Sequence, residues 1–441
     1  MEHKADFLCN SILLLCAIAA AMIATVMGVS ALGQTGSAAV AVLCLLFWML
    51  GSMALLRKSP FPAHEDTLWA VMILYLALCL RLIFLNHISP DYVSFLSKWV
   101  ETMRSMTPRQ ALATPIGDYN MPYLYFLLLV SRLPMYDLYA IKLLSILADV
   151  FAALAVVKLT GLFTRNTAKL LLAFSGALLA PTLLLNGSYW GQCDSVYGAL
   201  ALWGLYFGLT QRPLLCLSLL ALSFAFKLQA VFLLPIVIFL LVMGELKLKH
   251  LPIFPAVFFA MMLPALLAGR SVSDTFSIYF SQAGAYPYLS LNAPSFWVMV
   301  PNDYFNELTP GPVLFAGIGV LALLFLFLKG HITLRKTDLL DLSLIFCLMI
   351  PYLLPKMHER YFYLAEILSL VYWARFPKRW PVTLVILLGG FLSYRSYLFG
   401  GEVILTNAQM AIAYGAVLCY LIYTAGRRVL LPADSGHARK E

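Results

Sequence analysis

The chain has 441 residues, of which 62% are hydrophobic and 12% charged, with a formal net charge of +9 and a mean hydropathy of +0.86. A soluble globular domain carries roughly half apolar and a quarter charged residues, so this composition excludes a soluble protein and predicts an all-α polytopic membrane protein. Its positive charge collects in short loops, as the positive-inside rule requires of cytoplasmic connections, which sets nucleic acid aside as a partner.

The first apolar run, 7–27, follows Lys4; it is long for a signal peptide and lacks a small-residue cleavage site, so it reads as a retained anchor. With the run over 38–56 it forms an N-terminal helical hairpin, 1–66. Further spanning candidates are 68–85, 138–159, 170–185, 195–209, 251–267, 313–328, 339–354, 382–398 and 410–423, with shorter runs at 122–133, 213–226, 228–243 and 362–373. Each must satisfy its own backbone in hydrocarbon and is therefore helical. Basic pairs such as Arg57/Lys58, Arg165/Lys169, Lys247/Lys249, Arg335/Lys336, Arg375/Lys378/Arg379 and Arg427/Arg428 belong to one side, which places both termini inside. That requires an even number of crossings, so 122–133 is expected to be re-entrant and the bundle to hold about 13–14 helices. Residues 1–430 then form a single transmembrane domain, and 431–441 a polar cytoplasmic tail.

The first outward loop, 86–121, contains NHISPDYVSFLSKWVETM. Its apolar positions Phe95, Leu96, Trp99, Val100 and Met103 recur at helical spacing, predicting an amphipathic interfacial helix. Asp91 follows Ser89 and Pro90, a pattern that also serves ordinary helix initiation. Next comes NGSYWGQCDSVYG over 186–198. Trp190 suits an interfacial turn, whereas Asp194 beside Gln192 opens a membrane helix, where an acid is a functional candidate because its desolvation is expensive. FKLQAVFLLP places Lys227 and Gln229 between two short apolar segments; the lysine either snorkels or binds. The loop 270–310 brings Arg270, Asn292 and many aromatics, suited to interfacial packing or to stacking on a sugar.

PKMHERYFYLAE, 355–366, interrupts one of the most apolar stretches. Lys356, His358 and Arg360 around Glu359 form an anion clamp, since arginine grips phosphate with paired hydrogen bonds and lysine adds a point charge; a solvated loop with internal pairing is the plainer alternative. A zinc site built from His358, Asp91 and Asp194 is conceivable but lacks diagnostic ligand spacing, so a divalent metal is possible but not indicated, and no other cofactor is expected.

Taken in order, SPDYVSFLSKWV, YNMPYLYF, NGSYWGQCDSVYG, FKLQAVFLLP, LNAPSFW and KMHERYFY resemble the bacterial mannosyltransferase-like membrane proteins related to GPI mannosyltransferase 2, within the GT-C superfamily of glycosyltransferases. The resemblance covers roughly 85–366. It implies a GT-C-like bundle and an inverting transfer of a hexose from a polyprenyl-phosphate-linked sugar donor to a glycan or lipid-linked acceptor, on the extracytoplasmic face of a bacterial cell membrane. It also implies that Asp91 is the catalytic acid of the first large loop. Lys356, His358 and Arg360 would then bind the donor phosphate, with Lys227 and Arg270 as further contacts. Tyr92, Tyr119, Asn120, Trp190, Gln192, Asp194, Gln229, Asn292, Glu359 and Tyr361 would position substrate. One departure is that two apolar segments precede the loop where a common GT-C core has one. A transporter or lipid-linked saccharide flippase is the competing class, with Asp149 and Lys142 as its mid-segment charges.

Overall fold

The computed structural model describes residues 35–57, 59–284, 287–308, 311–328, 334–400 and 404–430. The expected anchor over 7–27 and the tail over 431–441 lie outside them. The described chain is helical apart from two short strands, β1 (Ser290–Leu291) and β2 (Met357–His358). In chain order the helices used below are α1 (Thr35–Arg57), α2 (His64–Ile83), α3 (Ser97–Arg104), α4 (Pro108–Ala113), α5 (Met121–Val130), α6 (Asp137–Thr160), α7 (Thr167–Leu179), α8 (Pro181–Leu184), α9 (Asp194–Leu209) and α10 (Pro213–Phe226). They continue with α11 (Ile236–Val242), α12 (Ile253–Ala268), α13 (Val272–Gly284), α14 (Phe305–Leu308), α15 (Gly311–Leu328), α16 (Lys336–Leu353), α17 (Tyr363–Arg375), α18 (Trp380–Leu398) and α19 (Asn407–Leu430).

Among the described residues, seven helical segments are long and apolar enough to cross a membrane, Gly36–Leu56, Glu65–Ile83, Asp137–Thr160, Leu248–Ala268, Gly311–Leu328, Pro377–Leu398 and Asn407–Val429, and the bent pair formed by α7 and Pro181–Trp190 makes an eighth. The protein is therefore a multi-pass, all-α membrane protein. The runs already short in the sequence, 122–133, 213–226 and 228–243, fold as the shorter apolar helices α5, α10 and Leu228–Val242. The ten residues of α5 rise only about 15 Å, half of a bilayer core.

Two compact units make up the described chain. The first holds the chain up to Phe207, with Leu214–Ala230 and Leu251–Gly284. Its central helix is α6, 78% of whose span is buried, whereas only 11% of the Leu248–Ala268 span is. The first thus reads as an inner helix and the second as a lipid-facing one. Asp137 in the first turn of α6 and Lys158 in its last complement the helix dipole. At one end, Thr167 donates to Asp66 at 2.8 Å, joining the connections that carry the basic residues. At the other end, the loop after α2 meets the segment 186–194. The chain reaches that segment through a 47° bend between α7 and α8, at Pro181, which has no N–H to continue the ladder. A π-helical turn, Leu185–Trp190, follows, and Gly191 at φ +83° closes it in the left-handed region.

The second unit comprises Gly208–Pro213, Val231–His250 and the chain from Ala285 onward. Here α16, α17, α18 and α19 pack in sequence, and α19 returns against α16. Small residues permit the close approaches: a Cβ on Gly389 would lie 2.4 Å from the Tyr414 ring, and one on Gly415 would lie 2.6 Å from the Tyr352 hydroxyl. Charged pairs gather at the N-terminal end of α16, where Arg375 meets Asp338 and Asp341, and Lys336 meets Glu245 at 3.1 Å. The strands β1 and β2 lie at its other end. The basic loops of 245–250, 335–336, 375–379 and 427–428 therefore share one end of this unit, as their common side in the sequence predicts.

Candidate functional site

In the first unit the site grows from the loop after α2. Ser89 caps the new helix, accepting from the Tyr92 amide at 3.3 Å, so Asp91 sits in a first turn, the plainer of its two readings. Its side chain does more than cap. Oδ2 of Asp91 accepts from Trp190 Nε1 at 2.9 Å and from Gln192 Nε2 at 2.5 Å. The Gln192 Oε1 atom in turn accepts from the Tyr119 hydroxyl at 2.9 Å. Trp190 and Gln192 are buried and Asp91 is half-buried. Three separate motifs thus converge on one carboxylate, whose orientation is fixed by two N–H donors.

The amphipathic helix forms, with Phe95 as an exception. Leu96, Val100 and Met103 are buried, whereas Phe95 is 46% exposed. Phe95 lies within a π-helical turn over Tyr92–Leu96, and Leu96, Val100 and Met103 keep the expected face. Trp99 packs on Tyr119, and Gly117, at φ +71°, lies so close to the Trp99 indole that a Cβ would stand 2.8 Å from it. Tyr92 is buried against Tyr136. Asn120 is buried at the N-cap of α5, where its carbonyl accepts from the Tyr123 amide at 3.0 Å.

Segment 186–194 carries a second cluster. Asp194 is fully buried at the start of α9 and forms an ion pair with Lys227, while its other oxygen accepts from Asn186 Nδ2 at 2.9 Å. Lys227 also lies 5.7 Å from the Tyr197 ring centre. The choice between snorkelling and binding is thereby narrowed: Lys227 turns inward to an acid. Gln229 is buried next along the chain, and its Oε1 has no hydrogen-bond partner among the described residues. The glycosylation sequon at Asn186 is fully buried. Arg270 is also buried, donating to the carbonyls of Thr114 at 3.2 Å and Asp274 at 3.4 Å; burial lowers its pKa. It ties the end of α12 to the end of α4.

Behind the Asp91 cluster lie charges that the sequence reading only partly found. Lys142 donates to the carbonyls of Phe84 at 2.7 Å and His87 at 2.6 Å, holding the turn that leads to Asp91. His87 stacks on Tyr189 with ring centres 3.5 Å apart, and burial, then the Lys142 charge, lowers its pKa. Asp149 pairs at 2.9 Å with Arg81, which the sequence reading passed over. Inside the apolar run 68–85, one arginine near a helix end reads as snorkelling, and its partner lies 68 residues on. Ser145, likewise missed, donates to the Gln192 carbonyl at 2.6 Å.

The second unit brings together the two motifs that the sequence separates by some sixty residues. β1 pairs in parallel with β2, Ser290 opposite Met357 and Leu291 opposite His358. The Lys356 amide donates to Leu289 O at 2.8 Å and the Glu359 amide to Leu291 O at 3.2 Å. Asn292 bridges to His358. Glu359 is buried, with His358 Nδ1 and Arg360 Nη1 each 4.0 Å from its oxygens. His358 packs edge-on against Tyr361 at 5.2 Å, and the Lys356 ammonium lies 4.9 Å from the Phe305 ring centre. A buried carboxylate thus anchors two basic groups that stay partly open. Internal pairing and a phosphate clamp are compatible here.

Among the described residues, no group of three or more His, Cys, Asp or Glu side chains is arranged to hold a metal ion. Neither protein-family models nor curated protein sequences give a match to the chain.

Proposed function

We propose that the chain is an inverting membrane glycosyltransferase of the GT-C type, moving a mannose-like hexose from a polyprenyl-phosphate donor to a glycan or lipid-linked hydroxyl. The observation that carries this reading is the Asp91 carboxylate, oriented by Trp190 and Gln192 with Tyr119 behind them. Asp91 removes the acceptor hydroxyl proton as that oxygen attacks the anomeric carbon. The bond from that carbon to the phosphate oxygen breaks, and polyprenyl phosphate leaves with the electron pair. Such general-base assistance contributes about 10² to 10⁴ in rate. In the second unit, Lys356, His358 and Arg360 form a basic group that suits an anionic phosphate. Asp194, Gln192 and Trp190 position acceptor or sugar, and Lys227, Gln229 and Arg270 are second-rank phosphate contacts. The site faces the extracytoplasmic side of a bacterial cell membrane, and both termini are cytoplasmic.

The test is transfer of labelled sugar from a polyprenyl-phosphate donor by the purified protein in lipid. Asp91→Asn, which keeps the shape and an acceptor oxygen, is expected to lower turnover at least a hundredfold at unchanged expression. Near-normal turnover in that variant removes the proposed base. One observation favours a second reading, a transporter or flippase of lipid-linked saccharide: the buried Arg81–Asp149 pair lies within the span. Movement of the labelled lipid across the bilayer without any transfer product would select it.

A further inference from the structure

At the basic end of the second unit, three guanidinium groups surround one ring. Arg375, Arg379 and Arg428 lie 4.9, 4.5 and 4.6 Å from the Phe376 ring centre. Two carboxylates balance part of this charge. Asp338 meets Arg335 at 3.1 Å and Arg375 at 3.2 Å, while Asp341 meets Arg375 at 2.9 Å and Arg428 at 2.6 Å. Each acid is therefore already shared between two arginines. Lys378 and Arg427 stand at the same end, in the turn Pro377–Arg379 and the last turn of α19, and both are exposed. The group holds six cations against two acids, and like charges this close need a further anion. Arg428 carries a more specific mark: its Nε and Nη1 are buried and meet no acceptor among the described residues.

The surroundings identify the source of that anion. The cluster caps two membrane-spanning segments, Pro377–Leu398 and Asn407–Val429. Beside it Trp380, Tyr420 and Tyr423 are 51%, 40% and 60% exposed, the amphipathic aromatics that settle at headgroup level. Basic pockets between helices at this depth receive phosphate-bearing lipid headgroups, and guanidinium is the group best shaped to grip one.

We propose that this end of the second unit binds the phosphodiester headgroup of an anionic phospholipid, held between the turn Pro377–Arg379 and the last turn of α19. The site is separate from the transfer chemistry above and does not depend on it. The full-length protein in neutral detergent would be titrated with phosphatidylglycerol, phosphatidylcholine and inorganic phosphate, with bound species counted by native mass spectrometry. Saturable binding of phosphatidylglycerol alone is expected. Arg379→Gln combined with Arg428→Gln is expected to weaken it by about fivefold for each charge removed, hence more than tenfold. Because Arg428 also holds Asp341, Lys378→Gln combined with Arg427→Gln serves as a second variant that disturbs no carboxylate pair, with the same expected loss. Equal binding of both lipids, saturation by inorganic phosphate at the same concentration, or wild-type affinity in a folded variant would each overturn the proposal.

Discussion

The Arg81–Asp149 pair decides between a structural and a transporting role for the charge inside the first unit. Arg81 is 0% and Asp149 1% exposed, and Arg81 also donates to the carbonyls of Leu178 at 2.7 Å and Ala77 at 3.2 Å. Asp149→Asn leaves a buried guanidinium with neutral acceptors only. Breaking a buried pair in this way costs about 3–5 kcal/mol. For a unit of a few hundred residues, each kcal/mol moves the melting temperature by about 2–4 °C, so a fall of roughly 6–20 °C is expected. Replacing both partners, Arg81→Met with Asp149→Leu, removes the desolvated charges together and should recover most of that loss. Melting in detergent, followed by intrinsic fluorescence at one scan rate, reads all three proteins. A double variant no more stable than Asp149→Asn would refute the pairing argument. A double variant that is stable and active in sugar transfer would show that the charges are a clamp and not a carrier of protons or ions.

Two further outcomes rest on single residues. His87 has a folded pKa below its ordinary 6.5 because burial, then Lys142, disfavour the imidazolium; its contribution is complete above about pH 6.5 and is lost as pH falls through the folded value. Melting temperatures across that window should therefore drop less steeply in His87→Gln than in the native protein, and parallel curves would remove His87 as the cause. Lys356 adopts φ +61°, which costs a non-glycine residue about 1–2 kcal/mol, so Lys356→Gly should match or exceed native stability. If its ammonium serves the donor phosphate, the same variant transfers sugar more slowly; unchanged transfer with a raised melting temperature would assign the residue to the backbone alone.

The chain's helical, multi-pass nature is legible from composition because hydrocarbon leaves the backbone no alternative. Span lengths are less so. In the run 122–133 the helix stops at Val130, before Ser131 and Arg132, and in 228–243 the regular helix starts only after Pro235. Within the site, Asp91, Trp190, Gln192 and Tyr119 can be singled out by residue type and by their place in polar stretches between apolar runs, and they share hydrogen bonds. Arg81 and Ser145 escape notice because what marks them is a partner distant in the chain, Asp149 and Gln192, and no periodicity in one sequence reports a partner. The pairing of β1 with β2 is hidden for a similar reason, since strands of two residues are too short to carry an alternating pattern.

The two π-helical turns are the strongest independent argument that the Asp91 region is a site. Such turns are rare, and each spoils the regular ladder by inserting a residue. The first begins directly after Asp91, with the Ser97 amide reaching back to Tyr92 O; the second ends on Trp190, with Gly191 turning left-handed behind it. Regular α-helix in place of the first would rotate Leu96, Val100 and Met103 away from their buried positions or carry Asp91 off with them. In place of the second, it would swing the indole N–H away from the carboxylate. Each turn gives up regular hydrogen bonds beside a polar group that is held in place. Two irregularities, distant in sequence, abut the two partners of a single hydrogen bond, and π-helical turns of this kind often mark functional sites.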